Sequence, residues 1–61
     1  MNIRERIETI MESKEIKFNG AKCFDFNENN TKVTVYNINY NTFKRTLVGW
    51  YIVGLDSFVL A

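Results

Sequence analysis

Ile3-Arg4-Glu5-Arg6-Ile7-Glu8-Thr9-Ile10-Met11-Glu12-Ser13 is followed by Lys14-Glu15-Ile16-Lys17-Phe18-Asn19-Gly20-Ala21-Lys22-Cys23-Phe24-Asp25-Phe26, and the change of period between them decides the fold class. In the first stretch Ile3, Ile7, Ile10 and Met11 fall at i, i+4, i+7 and i+8, one stripe of a helix. Arg4, Glu5, Arg6, Glu8 and Glu12 occupy the other faces. Asn2 is placed to cap the helix and Glu5, three residues on, to close a capping box. Arg4 and Glu8 are spaced for an i,i+4 ion pair. The helix is expected over about 3–13, too short to persist without packing its isoleucine stripe on something.

From Lys14 the period is two. Strands are expected at about 15–18 and 21–26, joined at Asn19-Gly20. A two-residue loop would split Ile16 and Phe18 from Phe24 and Phe26. A three-residue loop with Gly20 in the left-handed region puts all four on one face, so the hydrophobic pattern favours the bulged loop. Asn27-Glu28-Asn29-Asn30 is the next turn, built of residues that tolerate left-handed backbone. A strand dense in β-formers follows over 31–38, then a loop around Asn39-Tyr40-Asn41-Thr42, a long strand over 43–53 and a last one over 58–60.

These elements define one α+β domain over 1–61, an N-terminal amphipathic helix packed on a curled antiparallel meander of four to five strands. The alternative is a small half-open five-stranded barrel, for which Gly49 would supply the corner. The run Leu47-Val48-Gly49-Trp50-Tyr51-Ile52-Val53 does not alternate, so both of its faces are expected to be covered. One helix of three turns is too little cover. The surplus is expected either in a barrel core or at an interface made by Trp50, Tyr51, Ile52, Phe58 and Leu60.

A chain of 61 residues buries only about 60% of its unfolded surface, and scaffolds of this size usually add a disulfide, a metal or a second subunit. Cys23 is the one cysteine and histidine is absent, so neither an intrachain disulfide nor a zinc site is expected. Self-association, a dimer first, is the remaining stabiliser. The final strand over 58–60 lacks proline and lysine to protect its edge.

Without histidine there is no imidazole base for a Ser or Cys nucleophile. Glu15, Asp25, Glu28 and Asp56 lie on separate turns and strands, not as a paired acid and base. The glycines are isolated, so no phosphate loop is formed. Cys23, mid-strand, reads as a packing residue. No catalytic, cofactor or metal residues are therefore expected, and the chain is read as a non-enzyme.

Net charge is +1, so no global field directs the chain to nucleic acid or anionic lipid. Tyr36, Tyr40, Phe43, Lys44 and Arg45 nevertheless interleave aromatics with cations, the pattern by which sheet surfaces bind single strands. The leading expectation is a non-catalytic protein-binding module, homo-oligomeric, with a nucleic-acid-binding regulator as the alternative. No signal core and no apolar run of membrane-spanning length are present, which points to the cytoplasm and away from membranes. Asn, Lys, Ile, Phe and Tyr are abundant while Pro, His and Gln are missing, a bias toward AT-rich codons. That bias suggests a phage or mobile-element protein that binds and inhibits a host factor.

Overall fold

The computed structural model describes residues 2–61. Helix α1 spans Ile3–Ser13, and strands β1 (Gly20–Phe26), β2 (Lys32–Asn39), β3 (Arg45–Ile52) and β4 (Ser57–Leu60) follow, with a 3-10 turn at Val53–Leu55 before β4. The strands form one antiparallel sheet in the order β1-β2-β3-β4. The sheet is therefore the open version of the expected fold, with β1 and β4 as its edges.

The start of α1 follows its sequence. Asn2 Oδ1 accepts from Glu5 N at 2.9 Å, and the Asn2 side-chain amide donates to Glu5 Oε1 at 3.4 Å. Ile7 and Met11 are buried, with Ile3 and Ile10 packed beside them. They meet Val33 and Val35 of β2, Tyr51 of β3 and Phe58 of β4, and these make the core. The expected Arg4–Glu8 pair is not formed: the ion pair among the described residues is Arg6–Asp56, and the Arg4 guanidinium lies 5.9 Å from the ring centres of Phe24 and Phe26.

The strand expected over 15–18 does not exist. The helix instead ends in a Schellman motif, in which Ile16 N donates to Met11 O at 3.0 Å and Glu15 N to Glu12 O at 3.0 Å, with Glu15 left-handed at φ 58°. The chain then runs as an irregular connector to β1. Ile16 and Phe18 still pack on the helix side, as do Phe24 and Phe26. The four share a side, but a connector and a strand put them there, not a hairpin.

Gly20 is likewise not a turn residue with positive φ; no glycine here has one. It opens β1 opposite Asn39, and a Cβ on it would stand 2.0 Å from Ile38 O. Close approach of two backbones, not turn geometry, requires glycine there. The first true turn is the asparagine one: Asn27 Oδ1 accepts from Thr31 N and Lys32 N, and Asn30 is left-handed at φ 56°.

The non-alternating run is resolved by a bulge. Val35 pairs with Gly49 but Tyr36 pairs with Leu47, so Val48 is the extra residue on β3. On the C-terminal side of the bulge Gly49 and Tyr51 face the helix. Leu47, before it, is switched to the opposite face, where it joins Trp50 and Ile52.

Candidate binding face

Pairing across the sheet fixes what the face away from α1 carries, because partners in an antiparallel ladder project to the same side. One row runs Asp25, Thr34, Trp50, Val59, and the next Cys23, Tyr36, Leu47. Beyond them lie Ala21, Ile38 and Arg45 at one end, and Lys32, Ile52 and Ser57 at the other. Among the described residues, no element covers this side. A water-facing sheet face normally shows polar residues in alternation with a buried set. This one shows Tyr36, Ile38, Trp50 and Ile52 half-buried, and Leu47 and Val59 38% and 49% exposed.

Its cations stand over its aromatic rings. The Arg45 guanidinium is 4.6 Å from the Tyr36 ring centre, and Lys32 Nζ is 5.8 Å from that of Trp50. Both distances are within cation–π range. Neither cation has a carboxylate partner among the described residues.

The β2–β3 hairpin extends the face at the Arg45 end. Asn39 N donates to Lys44 O, and Asn39 Oδ1 accepts from Asn41 N and Thr42 N, which fixes the loop. At its tip Tyr40 is 68% and Phe43 80% exposed, and Phe43 has φ 59°. A bulky aromatic in left-handed backbone, with its ring in water, is a local conflict with stability.

The structure therefore sorts the expected interface residues into two sets. Trp50 and Ile52 lie on the uncovered face. Tyr51 and Phe58 do not: at 4% and 6% exposure they belong to the core beneath α1. Leu60, opposite Gly49, is exposed at the end of the β4 edge. Of the residues with a nucleic-acid-binding pattern, Tyr36 and Arg45 stack, and Tyr40, Phe43 and Lys44 follow in the adjoining loop. Sequence reasoning missed Ile38 and Val59, and it placed Lys32 with the lysines of the first hairpin and Leu47 on the side of Tyr51 as one alternative; their common side becomes readable only once the pairing and the bulge are known.

Two other features bear on chemistry. Asp56, left-handed at φ 48°, accepts from Arg6 Nε, Arg6 Nη2 and the Tyr51 hydroxyl. The Arg6 and Tyr51 hydrogen bonds hold its carboxyl down at about 2, and the bond to Asp56 pushes the Tyr51 phenol above its ordinary value. The cluster thereby ties the helix to β3 and to the turn before β4. On the helix side a groove of about 240 Å³ opens between Glu8, Met11, Glu12, Ile16, Phe18 and Lys22. That is below the roughly 300–1,000 Å³ of small-molecule sites.

Among the described residues, no group of His, Cys, Asp or Glu is arranged to hold a metal, and no helix is long and apolar enough to cross a membrane. Comparison with protein families, with curated proteins and with solved structures found no match.

Proposed function

We propose that this chain is a non-catalytic binding module that engages another protein through the uncovered face of its sheet. The supporting observation is that a four-stranded sheet has a helix on one face and an aromatic and aliphatic surface, with no cover, on the other. Trp, Tyr and Arg, which dominate hot spots in protein interfaces, sit here together as Trp50, Tyr36 and Arg45. Ile38, Leu47, Ile52 and Val59 favour a protein over a nucleic acid, since phosphates offer aliphatic side chains no complement and base edges offer little beyond the thymine methyl group. The codon bias extends the proposal to a phage or mobile-element protein that blocks a host factor by occupying its surface.

A nucleic-acid-binding regulator is the second reading, favoured by the Tyr36–Arg45 stack and the adjoining Tyr40, Phe43 and Lys44. Homodimerisation is a separate proposal about the β4 edge. Pairing of two Ser57–Leu60 strands would leave the sheet face free for its partner.

Affinity capture from lysate tests the main reading, using wild type, Leu47→Asp on the uncovered face and Glu8→Gln on the helix. A protein retained by wild type and Glu8→Gln but lost with Leu47→Asp is the expected result. Retention of nucleic acid that falls steeply with salt would replace it with the second reading.

A further inference from the structure

The charge on the uncovered face is segregated. Lys32 and Arg45 stand at opposite ends of the β2–β3 ladder, in the Lys32–Ile52 and Ile38–Arg45 rows, and Lys44 adjoins Arg45. Asp25 is the one acidic residue the pairing places on that face, whereas Glu5, Glu8 and Glu12 are on α1, across the sheet. Apart from Thr34, and Asp25 at the β1 edge, the middle of the face is therefore apolar while its two ends are cationic, with no ion pair among the described residues at either end.

Size and charge narrow the choice of occupant. Strands of seven, eight, eight and four residues at about 3.3 Å each and about 4.8 Å spacing give a face of about 430 Å². That is below the roughly 800 Å² a standard complex takes from each partner, so any occupant makes a small interface and charge decides between them. With cations at both ends, a two-fold stacking of this face on a second copy with strands aligned brings positive ends onto positive ends. A helix lying along the strands needs about 18 residues to run the roughly 26 Å between the cationic ends.

The fold already contains that solution once, in the apolar stripe of α1 lying across the other side of the sheet. A second helix on the bare side would complete a layer of helix on each face of the sheet. We infer that the uncovered face binds an amphipathic helix of a partner protein, whose apolar stripe covers Tyr36, Leu47 and Trp50 and whose flanking carboxylates meet Arg45 and Lys32. This deepens the protein-binding reading and rests on it.

Trp50 is the chain's one tryptophan, so its fluorescence reports directly on occupancy of this face. The probes are two synthetic helical peptides with the same leucine stripe, one flanked by glutamates and one by lysines, and a single-stranded oligothymidylate. The glutamate peptide should change Trp50 emission saturably and bind about tenfold more tightly than the lysine peptide, the scale of a few charge contacts. Raised salt should shrink that gap, and the double variant Lys32→Glu, Arg45→Glu should reverse the preference while its far-ultraviolet circular dichroism matches wild type. Equal response to both peptides, no saturable response, or tighter binding of the oligonucleotide would overturn the inference. So would a change in emission on concentrating the protein alone, which would assign the face to a second copy. If both peptides fail while captured protein is still lost with Leu47→Asp, the chemistry assigned to the partner is wrong and the protein-binding reading stands.

Discussion

Arg6 on the helix and Asp56 in the turn before β4, 50 residues apart in sequence, form a two-point ion pair, Nε donating to Oδ1 at 2.9 Å and Nη2 to Oδ2 at 2.5 Å. Tyr51 donates its hydroxyl to the same carboxylate, so the helix, β3 and the β3–β4 turn meet at one side chain. The geometry matters because α1 has no other ionic tie to the sheet among the described residues.

This latch should make folding acid-sensitive. Asp56 is lowered from 3.8 to about 2 by its hydrogen bonds to Arg6 and Tyr51. Its contribution is therefore complete above about pH 4 and is lost as the pH falls through about 2, because the unfolded chain takes up the proton first. Wild type should lose melting temperature over that window more steeply than Asp56→Asn. The raised Tyr51 phenol predicts a second loss at the alkaline end, above its ordinary 10.0, absent in Tyr51→Phe. Parallel pH profiles for wild type and Asp56→Asn would show that the carboxylate contributes nothing.

Glu15 occupies the helix-terminating position where glycine is usual, at φ 58° with an exposed side chain. Its backbone already makes the motif's bonds to Glu12 O and, through Ile16 N, to Met11 O. Glu15→Gly should therefore keep the turn, relieve the left-handed penalty and stabilise the fold by about 1 kcal/mol. Denaturant midpoints of the two proteins decide it, and a lower midpoint for Glu15→Gly counts against the strain argument.

The same motif explains where the sequence was legible and where it was not. The isoleucine stripe and the Asn2 cap are local, and both are found as expected. So are the asparagine turn and the β-rich stretch that becomes β2. The alternation Glu15-Ile16-Lys17-Phe18, however, fits an extended connector as well as a strand, since either can bury every second residue. Only the destination of the backbone hydrogen bonds separates them, and here Ile16 N goes back to the helix. Which face of β3 held Leu47 and Trp50 turned on one inserted residue, Val48, that carries no sequence signal. The Arg6–Asp56 pair depends on three elements being in place, so neither residue announces it.

Gly49 lies below the ring of Phe58. A Cβ there would stand 2.3 Å from Val59 O and 3.0 Å from two Phe58 ring carbons. The obstacle at 2.3 Å is backbone, which moves only if β4 moves. Gly49→Ala should cost on the order of 1–3 kcal/mol, the range of overpacking. Amide exchange should show the loss first in the β3–β4 ladder, including the bond from Ala61 N to Val48 O. Unchanged exchange across that ladder would mean β4 accommodates a methyl group that the geometry excludes.

Phe43 is placed to set stability against the proposed binding at a single residue. It is left-handed at φ 59° and 80% exposed, and its amide donates to Asn39 O at 2.8 Å, so the turn holds through backbone and the Asn39 side chain. The ring contributes little to the fold while its backbone costs about 1–2 kcal/mol relative to a residue at home there. Asparagine tolerates that backbone without adding the unfolded-state freedom of glycine. Phe43→Asn should thus raise the denaturant midpoint by an amount equivalent to about 1 kcal/mol, with the slope of the transition unchanged. Retaining a strained aromatic at an exposed tip makes sense if the ring contacts the partner, next to Tyr40 and the Tyr36–Arg45 stack. The same variant should then bind its captured partner more weakly although it is more stable. A Phe43→Asn protein that is stabilised and binds as well as wild type would remove the hairpin tip from the binding surface and confine it to the strands.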